Sequence, residues 1–247
     1  MRRSVYRLMS ITLGMGLAIL IASAQVRIYD TIWAADGPPT TNLPGLVFTG
    51  ATPRYNMGDG IGVSLSGNAE LTRLDFVLVI AAAVTNATVT FTVDVFNNWT
   101  TAGAATDPAF SNLAGSFTGT LSGITTTGAA AFIVTTTPPG GIVLDTSPNK
   151  GVVIKLLLNG MASNTATVGI VNRLPNPGTE GLLADAFYRD VNANGIIEIG
   201  EARTFSEPYT PRTQDNLAIT LWVPEPASML ALGAGLAGLI ALRRRRK

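Results

Sequence analysis

The segment that decides the fold spans residues 88–95 and reads Thr88-Val89-Thr90-Phe91-Thr92-Val93-Asp94-Val95. Polar and apolar side chains alternate at every position of this segment. Successive side chains of a β-strand point to opposite faces, so a period of two predicts a strand with one buried and one exposed face. Such a strand needs neighbours on which to pair and a second layer over its apolar face.

Further segments carry the same alternation, or are short apolar runs bounded by turn residues. In residues 73–80, for example, Arg73 and Asp75 oppose Leu74 and Phe76. The other predicted strands cover residues 26–33, 60–66, 130–135, 141–144, 151–158, 165–171 and 216–223. Turn residues separate them at 67–68, 138–141, 147–149 and 175–178.

Many short strands at close spacing, abundant threonine and the absence of a long amphipathic helix from the interior predict an all-β domain. We expect an antiparallel β-sandwich or jelly roll over residues 25–222. An N-terminal signal helix and a C-terminal transmembrane helix are expected to flank it. No internal repeat is visible, so one domain is the expectation.

The composition limits the chemistry available to the chain. Of its 247 residues, 47% are hydrophobic and 13% are charged, and the mean hydropathy is +0.33. Values this apolar are high for a soluble domain and indicate dedicated membrane segments. The sequence contains no histidine and no cysteine. Ser-His and Cys-His catalytic pairs, His/Cys zinc sites and disulfides are therefore excluded.

The first 24 residues have the organisation of a secretory signal peptide. Arg2, Arg3 and Arg7 precede an apolar run over residues 8–21, and Ala22-Ser23-Ala24 supplies the small residues of a cleavage site. We expect cleavage after Ala24 and export of everything that follows. An uncleaved anchor helix is the alternative.

The C-terminal residues have three parts in a fixed order. Pro224-Glu225-Pro226 is followed by an apolar stretch over residues 227–242 and by the basic run Arg243-Arg244-Arg245-Arg246-Lys247. A helix over the apolar stretch would be about 24 Å long, and arginine snorkelling and local thinning would fit it to a hydrocarbon core of about 30 Å. Because basic residues stay cytoplasmic, we expect both chain ends inside and the middle outside.

Together, Val223-Pro224-Glu225-Pro226-Ala227-Ser228, the apolar stretch and the basic run resemble the C-terminal sorting signal of PEP-CTERM proteins. The resemblance covers residues 223–247. It implies a Gram-negative envelope protein that is first anchored in the inner membrane, is processed by a protease called exosortase, and then reaches the cell surface. The two prolines remove amide donors and disfavour helix, so we expect an extended motif that a protease groove can accept.

The sharpest motif of the interior spans residues 190–201 and reads Asp190-Val191-Asn192-Ala193-Asn194-Gly195-Ile196-Ile197-Glu198-Ile199-Gly200-Glu201. It resembles the twelve-position calcium loop of EF-hand and dockerin-like proteins. Gly195 permits the sharp bend that such loops need. The expected ligands are the side chains of Asp190, Asn192, Asn194, Glu198 and Glu201 and the carbonyl of Ile196.

The loop departs from a full EF-hand. A short helix is expected before it, over residues 181–189, but Pro208 leaves little room for an exiting helix. With three charged ligands we expect weak, structural calcium binding, in the range of about 0.1 to 1 mM. The alternative is an Asn-Gly hairpin turn between Val191 and a strand at residues 196–199.

Three classes of function stay open. PEP-CTERM proteins commonly accompany exopolysaccharide production and biofilm formation, so the resemblance implies a non-enzymatic surface or matrix protein. The second class is a carbohydrate-binding module, with Trp99, Tyr188 and Tyr209 as candidate platform residues. The third is an enzyme, either a two-carboxylate glycoside hydrolase or a Ser-Lys enzyme using Lys150 or Lys155. No spacing singles out such a site, so we expect no enzymatic activity.

Removal of the two ends changes the charge of the chain. The whole sequence has 17 basic and 16 acidic residues, a net charge of +1. The signal peptide holds three of the basic residues and the tail five, so the remaining nine face 16 acidic residues. The mature protein is therefore near −7, or −6 if the tail is cut before Glu225. An acidic surface suits calcium and argues against a nucleic-acid partner.

Overall fold

The structure is a computed structural model that describes residues 25–32, 55–162, 165–172, 176–180, 187–192, 194–203 and 215–225, together with Gly235 and Arg243. Almost all regular structure in these residues is strand, which confirms the all-β class. The strands are β1 (Gln25–Asp30), β2 (Tyr55–Gly62), β3 (Ala69–Glu70), β4 (Arg73–Ile80), β5 (Val84–Trp99), β6 (Phe110–Thr126), β7 (Ala130–Thr136), β8 (Val143–Leu144), β9 (Asn149–Asn159), β10 (Ala166–Val168), β11 (Ile170–Asn172), β12 (Thr179–Glu180), β13 (Phe187–Arg189), β14 (Ala202–Arg203), β15 (Asp215–Leu217) and β16 (Ile219–Pro224).

Two larger sheets carry most of these strands. The seven-stranded sheet has the order β14-β13-β2-β9-β5-β6, with β12 also paired to β2, and all its pairings are antiparallel. The five-stranded sheet has the order β1-β16-β4-β10, with β7 on the other side of β4. Two small sheets, β11-β15 and β3-β8, complete the set.

The predicted strand at residues 88–95 is the middle of β5, a central strand of the seven-stranded sheet. Its apolar side chains are buried, and Phe91 meets Phe76 of β4 edge to face, with ring centroids 5.1 Å apart. This contact joins one strand of each of the two larger sheets. On the opposite face, the Asp94 carboxylate pairs with the Lys155 ammonium at 2.6 Å. The jelly-roll or sandwich assignment itself stays a prediction.

Two predicted strands are each broken in the middle. The segment 165–171 is interrupted at Gly169 and the segment 216–223 at Ala218. The Gly169 amide donates to the Val77 carbonyl, and the Val77 amide donates to the Ala218 carbonyl. A Cβ on residue 169 would lie 2.9 Å from the Val77 side chain, so glycine permits this close approach to β4. The breaks let each segment join two different sheets.

Other predicted boundaries were wrong. The strand expected at residues 60–66 lies at Tyr55–Gly62, and the one expected at 141–144 is the two-residue β8. The prediction of a helix over residues 181–189 is wrong for its last three residues, because Phe187–Arg189 forms β13, which pairs with β2 and β14. Residues 181–186 lie outside the described residues. The sequence prediction also missed β6, a strand of 17 residues.

An aromatic cluster covers the face of the seven-stranded sheet that is opposite to Phe91. It consists of Trp99, Phe110 and Tyr188, packed with Val153, Ala109 and Ile197. Its rings lie on bare backbone: a Cβ on residue 60 would fall inside the Trp99 indole, and one on residue 58 would come within 2.8 Å of Phe110. Gly151 is overlaid by Phe110 in the same way. We call these three positions, Gly58, Gly60 and Gly151, the glycine floor.

The two ends of the chain are described only at their inner limits. β1 begins at Gln25, the residue after the predicted signal cleavage, and β16 ends at Pro224. By internal contacts, Arg27–Trp222 form one unit and Met1–Val26 with Val223–Lys247 form the other. The predicted signal helix lies outside the described residues, as does the predicted transmembrane helix except for Gly235. In the described part of the chain, no helix is long and apolar enough to cross a membrane.

The glycine floor yields the first prediction. Replacing Gly60 by Ala places a methyl group inside the Trp99 ring, so the indole must move, and we expect the free energy of unfolding to fall by about 2 kcal/mol. Gly67→Ala is the matched control, since nothing lies within 4 Å of its Cβ position, and it should change stability by less than about 0.5 kcal/mol. Urea unfolding of both variants measures this. Equal stabilities would show that the rings do not rest on residue 60.

Candidate metal loop and sorting motif

The loop at residues 190–201 is held at its first position by β2. Asp190 is 1% exposed, its amide donates to the Asn56 carbonyl at 3.1 Å, and its Oδ2 accepts the Asn56 side-chain amide at 3.0 Å. The same Oδ2 accepts the Gly195 amide at 2.9 Å, which curls the chain around the carboxylate. Gly195 has φ +90°, a conformation that favours glycine. The other oxygen, Asp190 Oδ1, is buried and has no hydrogen-bond partner among the described residues.

The asparagines of the loop form turns and bind one carboxylate. Asn192 Oδ1 accepts the Asn194 amide at 2.9 Å, and Asn194 Oδ1 accepts the Ile196 amide at 2.8 Å. Their side-chain NH₂ groups donate to Glu198, to Oε2 at 2.6 Å and to Oε1 at 3.2 Å. Both oxygens of Glu198 therefore already have donors within the loop.

Glu201 closes the loop on its own beginning. Its carboxylate is buried, with Oε1 accepting the amides of Val191 at 2.7 Å and Asn192 at 3.3 Å. Oε2 accepts the Glu198 amide at 3.0 Å, which caps the 3₁₀ turn Ile199–Glu201. The last position of the twelve thereby contacts the second and third, and the loop is a closed ring of hydrogen bonds.

The second half of the loop is fastened to the segment that joins β5 to β6. The Ala109 amide donates to the Ile197 carbonyl at 2.9 Å, and the Ile199 amide donates to the Asp107 carbonyl at 3.1 Å. The Ile197 side chain is buried in the aromatic cluster. Residues 196–199 thus contact residues 107–109. The Asn-Gly alternative expects these residues to form a hairpin with Val191, and the described residues show no such pairing.

The structure therefore places all six predicted ligands in one loop. It also shows that the carboxylates of Glu198 and Glu201 are turned to amide donors and not to a common centre. Across the described residues, no three carboxylate side chains lie close enough to share a metal ion. The atom without a donor is Asp190 Oδ1. Sequence reasoning missed the supports, Asn56 and residues 107–109, because nothing in their local sequence marks contact with a loop so distant along the chain.

Two of the three candidate platform residues are buried. Trp99 is 1% exposed and Tyr188 is 0% exposed, with their ring planes at 77°. Neither ring offers a face to a sugar, so this part of the carbohydrate-binding prediction is wrong for these two residues. Tyr209 lies outside the described residues. Trp99 Nε1 and the Tyr188 hydroxyl are both buried without a hydrogen-bond partner. Burial, with a smaller contribution from the Asp59 charge, raises the pKa of Tyr188 well above its usual value.

Neither candidate lysine forms a pair with a serine hydroxyl. Lys155 is paired with Asp94, as described above. Lys150 is buried in β9, and its ammonium donates to the Ser147 carbonyl and lies 3.4 Å from Asp145. Burial lowers the pKa of Lys150 below its usual value. The Ser147 hydroxyl contacts Asp145 Oδ1 at 2.6 Å and the Asn97 carbonyl, so its hydrogen goes to an oxygen acceptor and not to the lysine nitrogen.

The sorting motif begins where the last strand ends. Pro224 is the final residue of β16, and Glu225 is exposed. Pro226 and residues 244–247 lie outside the described residues, while Gly235 and Arg243 are helical.

Comparison with known proteins identifies the C-terminal segment. Residues 223–246 match the family model of the PEP-CTERM protein-sorting motif. The motif marks the chain for export and for sorting by an exosortase system of the Gram-negative type. No curated protein and no solved structure matches the chain.

The unpartnered Tyr188 hydroxyl gives the second prediction. Tyr188→Phe removes a buried group that makes no hydrogen bond, so the variant should be more stable than the wild type by about 1 kcal/mol at pH 7. The raised pKa means that the folded state keeps a proton that the unfolded state loses above about pH 10. Wild-type stability should therefore fall as the pH rises above this value, and the advantage of Tyr188→Phe should grow.

Urea unfolding at pH 7 and at alkaline pH measures both effects. Tyr29→Phe is the matched control, because the buried Tyr29 hydroxyl donates to Asn216 Oδ1 at 3.5 Å and its removal should destabilise the fold. A loss of stability in Tyr188→Phe as large as in the control would contradict the unpartnered state of this hydroxyl.

Proposed function

We propose that the chain is a non-enzymatic protein of the cell surface or extracellular matrix, delivered there by exosortase processing and associated with exopolysaccharide. The observation that carries this proposal is the sorting motif at residues 223–246. The motif explains the basic tail as part of a sorting signal. The acidic β domain, predicted to be a sandwich, is then the part that acts outside the cell.

The remaining features are consistent with a structural role. Without histidine or cysteine, the chain lacks the common catalytic pairs, and the two candidate lysines are held by ion pairing or burial. Burial of Trp99 and Tyr188 removes two of the three expected platform residues of the carbohydrate-binding module. Any contact with exopolysaccharide is therefore proposed for the polar surface of the domain and not for an aromatic cleft.

We also propose that the loop at residues 190–201 binds calcium in a structural role. The supporting observation is Asp190 Oδ1, an unpartnered carboxylate oxygen on a side chain that is 1% exposed. Burying such an atom without a donor costs about 1 to 3 kcal/mol, and a cation would remove this cost. The donor set of carboxylate, amide and carbonyl oxygens is the set that calcium prefers.

The loop is prepared for calcium only in part. Asp190 and Gly195 are already in a bent arrangement, and Glu201 fixes the two ends of the loop. The side chains of Asn192, Asn194 and Glu198 bond to one another at the exposed surface, and calcium would compete with these bonds for their oxygens. This competition, together with three charged ligands, supports weak binding at extracellular calcium levels.

The sorting proposal predicts a change in processing. Replacing Pro224, Glu225 and Pro226 by alanine should leave a longer chain that stays in the membrane fraction, because the extended recognition segment is lost. Glu70→Ala, at another exposed glutamate, is the control and should be processed normally. Mass spectrometry of the cell-surface and membrane fractions measures the outcome. Normal processing of the triple variant would refute the role of the motif.

The calcium proposal predicts stabilisation by the ion. For a dissociation constant of about 0.1 to 1 mM, 10 mM calcium should stabilise the folded state by about 1.4 to 2.7 kcal/mol and raise the Tm by about 3 to 10 °C. Thermal unfolding of the full chain in mild detergent, with magnesium as the ionic control, measures the shift. Asp190→Asn should abolish it, because the oxygen that lacks a donor then belongs to a neutral amide.

Glu70→Gln is the control variant for this titration and should keep the full calcium shift. The readout is the difference in Tm with and without calcium, since loss of loop hydrogen bonds lowers the Tm of Asp190→Asn in either condition. An equal shift in the wild type and in Asp190→Asn, or no shift in the wild type, would refute calcium binding by this loop.

A further inference from the structure

One long stretch of the sequence carries no charge. Residues 108–144 contain no Asp, Glu, Lys or Arg, and they form β6, β7 and the two-residue β8. Within the described chain, β6 is the last strand of the seven-stranded sheet, and β7 pairs with β4 alone. A groove of about 420 Å³ lies between them, lined by Leu121 and Ile124 of β6 and by Phe132 and Ile133 of β7. Among the described residues, no strand pairs with the outer edge of β6 or of β7, and nothing fills the apolar groove between them.

Strand β6 lacks the features that normally protect a sheet edge. It is 17 residues long, contains no proline and no charged residue, and pairs with β5 on one side only, as far as the chain is described. Its register with β5 runs without interruption from Gly115 to Leu121. Natural proteins block long regular edges with lysine, proline or a covering segment, because an open edge recruits another strand.

We propose that β6 pairs antiparallel with β6 of a second copy of this chain, across a two-fold axis at Thr118. In this register the inward-facing Phe117 of each copy lies opposite Gly119 of the other, and Leu121 lies opposite Gly115. No two bulky side chains therefore face each other across the axis, and the space over Gly119 and Gly115 is filled by Phe91 and Ile142 of the same chain. On the outward face, Thr118 lies opposite Thr118 and Ser116 opposite Thr120.

The uncharged strand favours a second copy, which presents the same uncharged edge, over a charged partner strand. The mature chain is near −7, and every one of its charged residues lies outside residues 108–144. Two copies can meet along β6 with no charged residue on either paired strand, and the nearest described charge, the Asp94 carboxylate bonded to Ser116, is neutralised by Lys155. The two-fold axis closes the contact, because each β6 edge is used up by the other. This proposal does not rest on the proposed surface role or on calcium.

The test uses charge at the axis. Thr118 is exposed, and among the described residues its hydroxyl bonds only to the Thr92 hydroxyl, so Thr118→Lys and Thr118→Asp should both fold. Two like charges would face each other across the axis in either homodimer, and we expect the dimer dissociation constant to rise at least tenfold. Mixing the two variants places Lys opposite Asp and should restore the dimer. Thr101→Lys, in the exposed segment after β5, is the matched control and should dimerise as the wild type does.

Light scattering on the full chain in mild detergent, across the micromolar range, measures the mass of the protein component. A wild-type dimer, monomeric single variants and a dimer in the mixture support the proposal. A monomeric wild type, or a dimer that persists in both single variants and so forms through the tail or another surface, overturns it. Larger assemblies that grow with concentration overturn it as well, because a two-fold contact closes at two copies.

Discussion

The close packing of Trp99 and Phe110 on the glycine floor is the contact on which the outer half of the structure depends. A side chain at residue 58, 60 or 151 would occupy space that the two rings fill. With the rings in place, Tyr188 packs against both, with centroids 5.6 Å and 5.4 Å away. Ile197 is buried in the same cluster, so the acidic loop packs against the sheet and does not project freely into solvent.

This arrangement explains how a chain without disulfides holds a polar loop in place. Three contacts fix the loop: Ile197 packs into the aromatic cluster, Asn56 bonds to Asp190 at the start of the loop, and the backbone of residues 107–109 bonds to its second half. Three separate elements, β2, β13 and the β5–β6 connection, therefore meet at residues 190–201. A cation bound at Asp190 would stabilise this junction, which is the role we propose for calcium. The sorting signal, in contrast, depends on a short linear segment that any exported domain can carry.

The sequence predicted the parts of this protein that are encoded locally. Alternation at residues 88–95 identified β5, and the order of motif, apolar stretch and basic run identified the sorting signal. β6 was missed because Gly115, Gly119 and Gly123 interrupt its apolar pattern and resemble turn residues, although in the sheet they lie beside larger neighbours such as Phe91. The platform was wrong for a similar reason: the burial of Trp99 and Tyr188 depends on glycines of β2 and β9, and spacing along the chain does not show this contact.

Amide hydrogen exchange of the full chain tests the central claim, that the aromatic cluster fastens the loop to the sheet. The amides of Ala109 and Ile199 donate across the junction, to Ile197 and Asp107. If the loop is seated as described, peptides covering these two amides should exchange nearly as slowly as those of β5 and much more slowly than the exposed segment 101–106, even without calcium. Exchange of both amides at the rate of that segment would contradict the account.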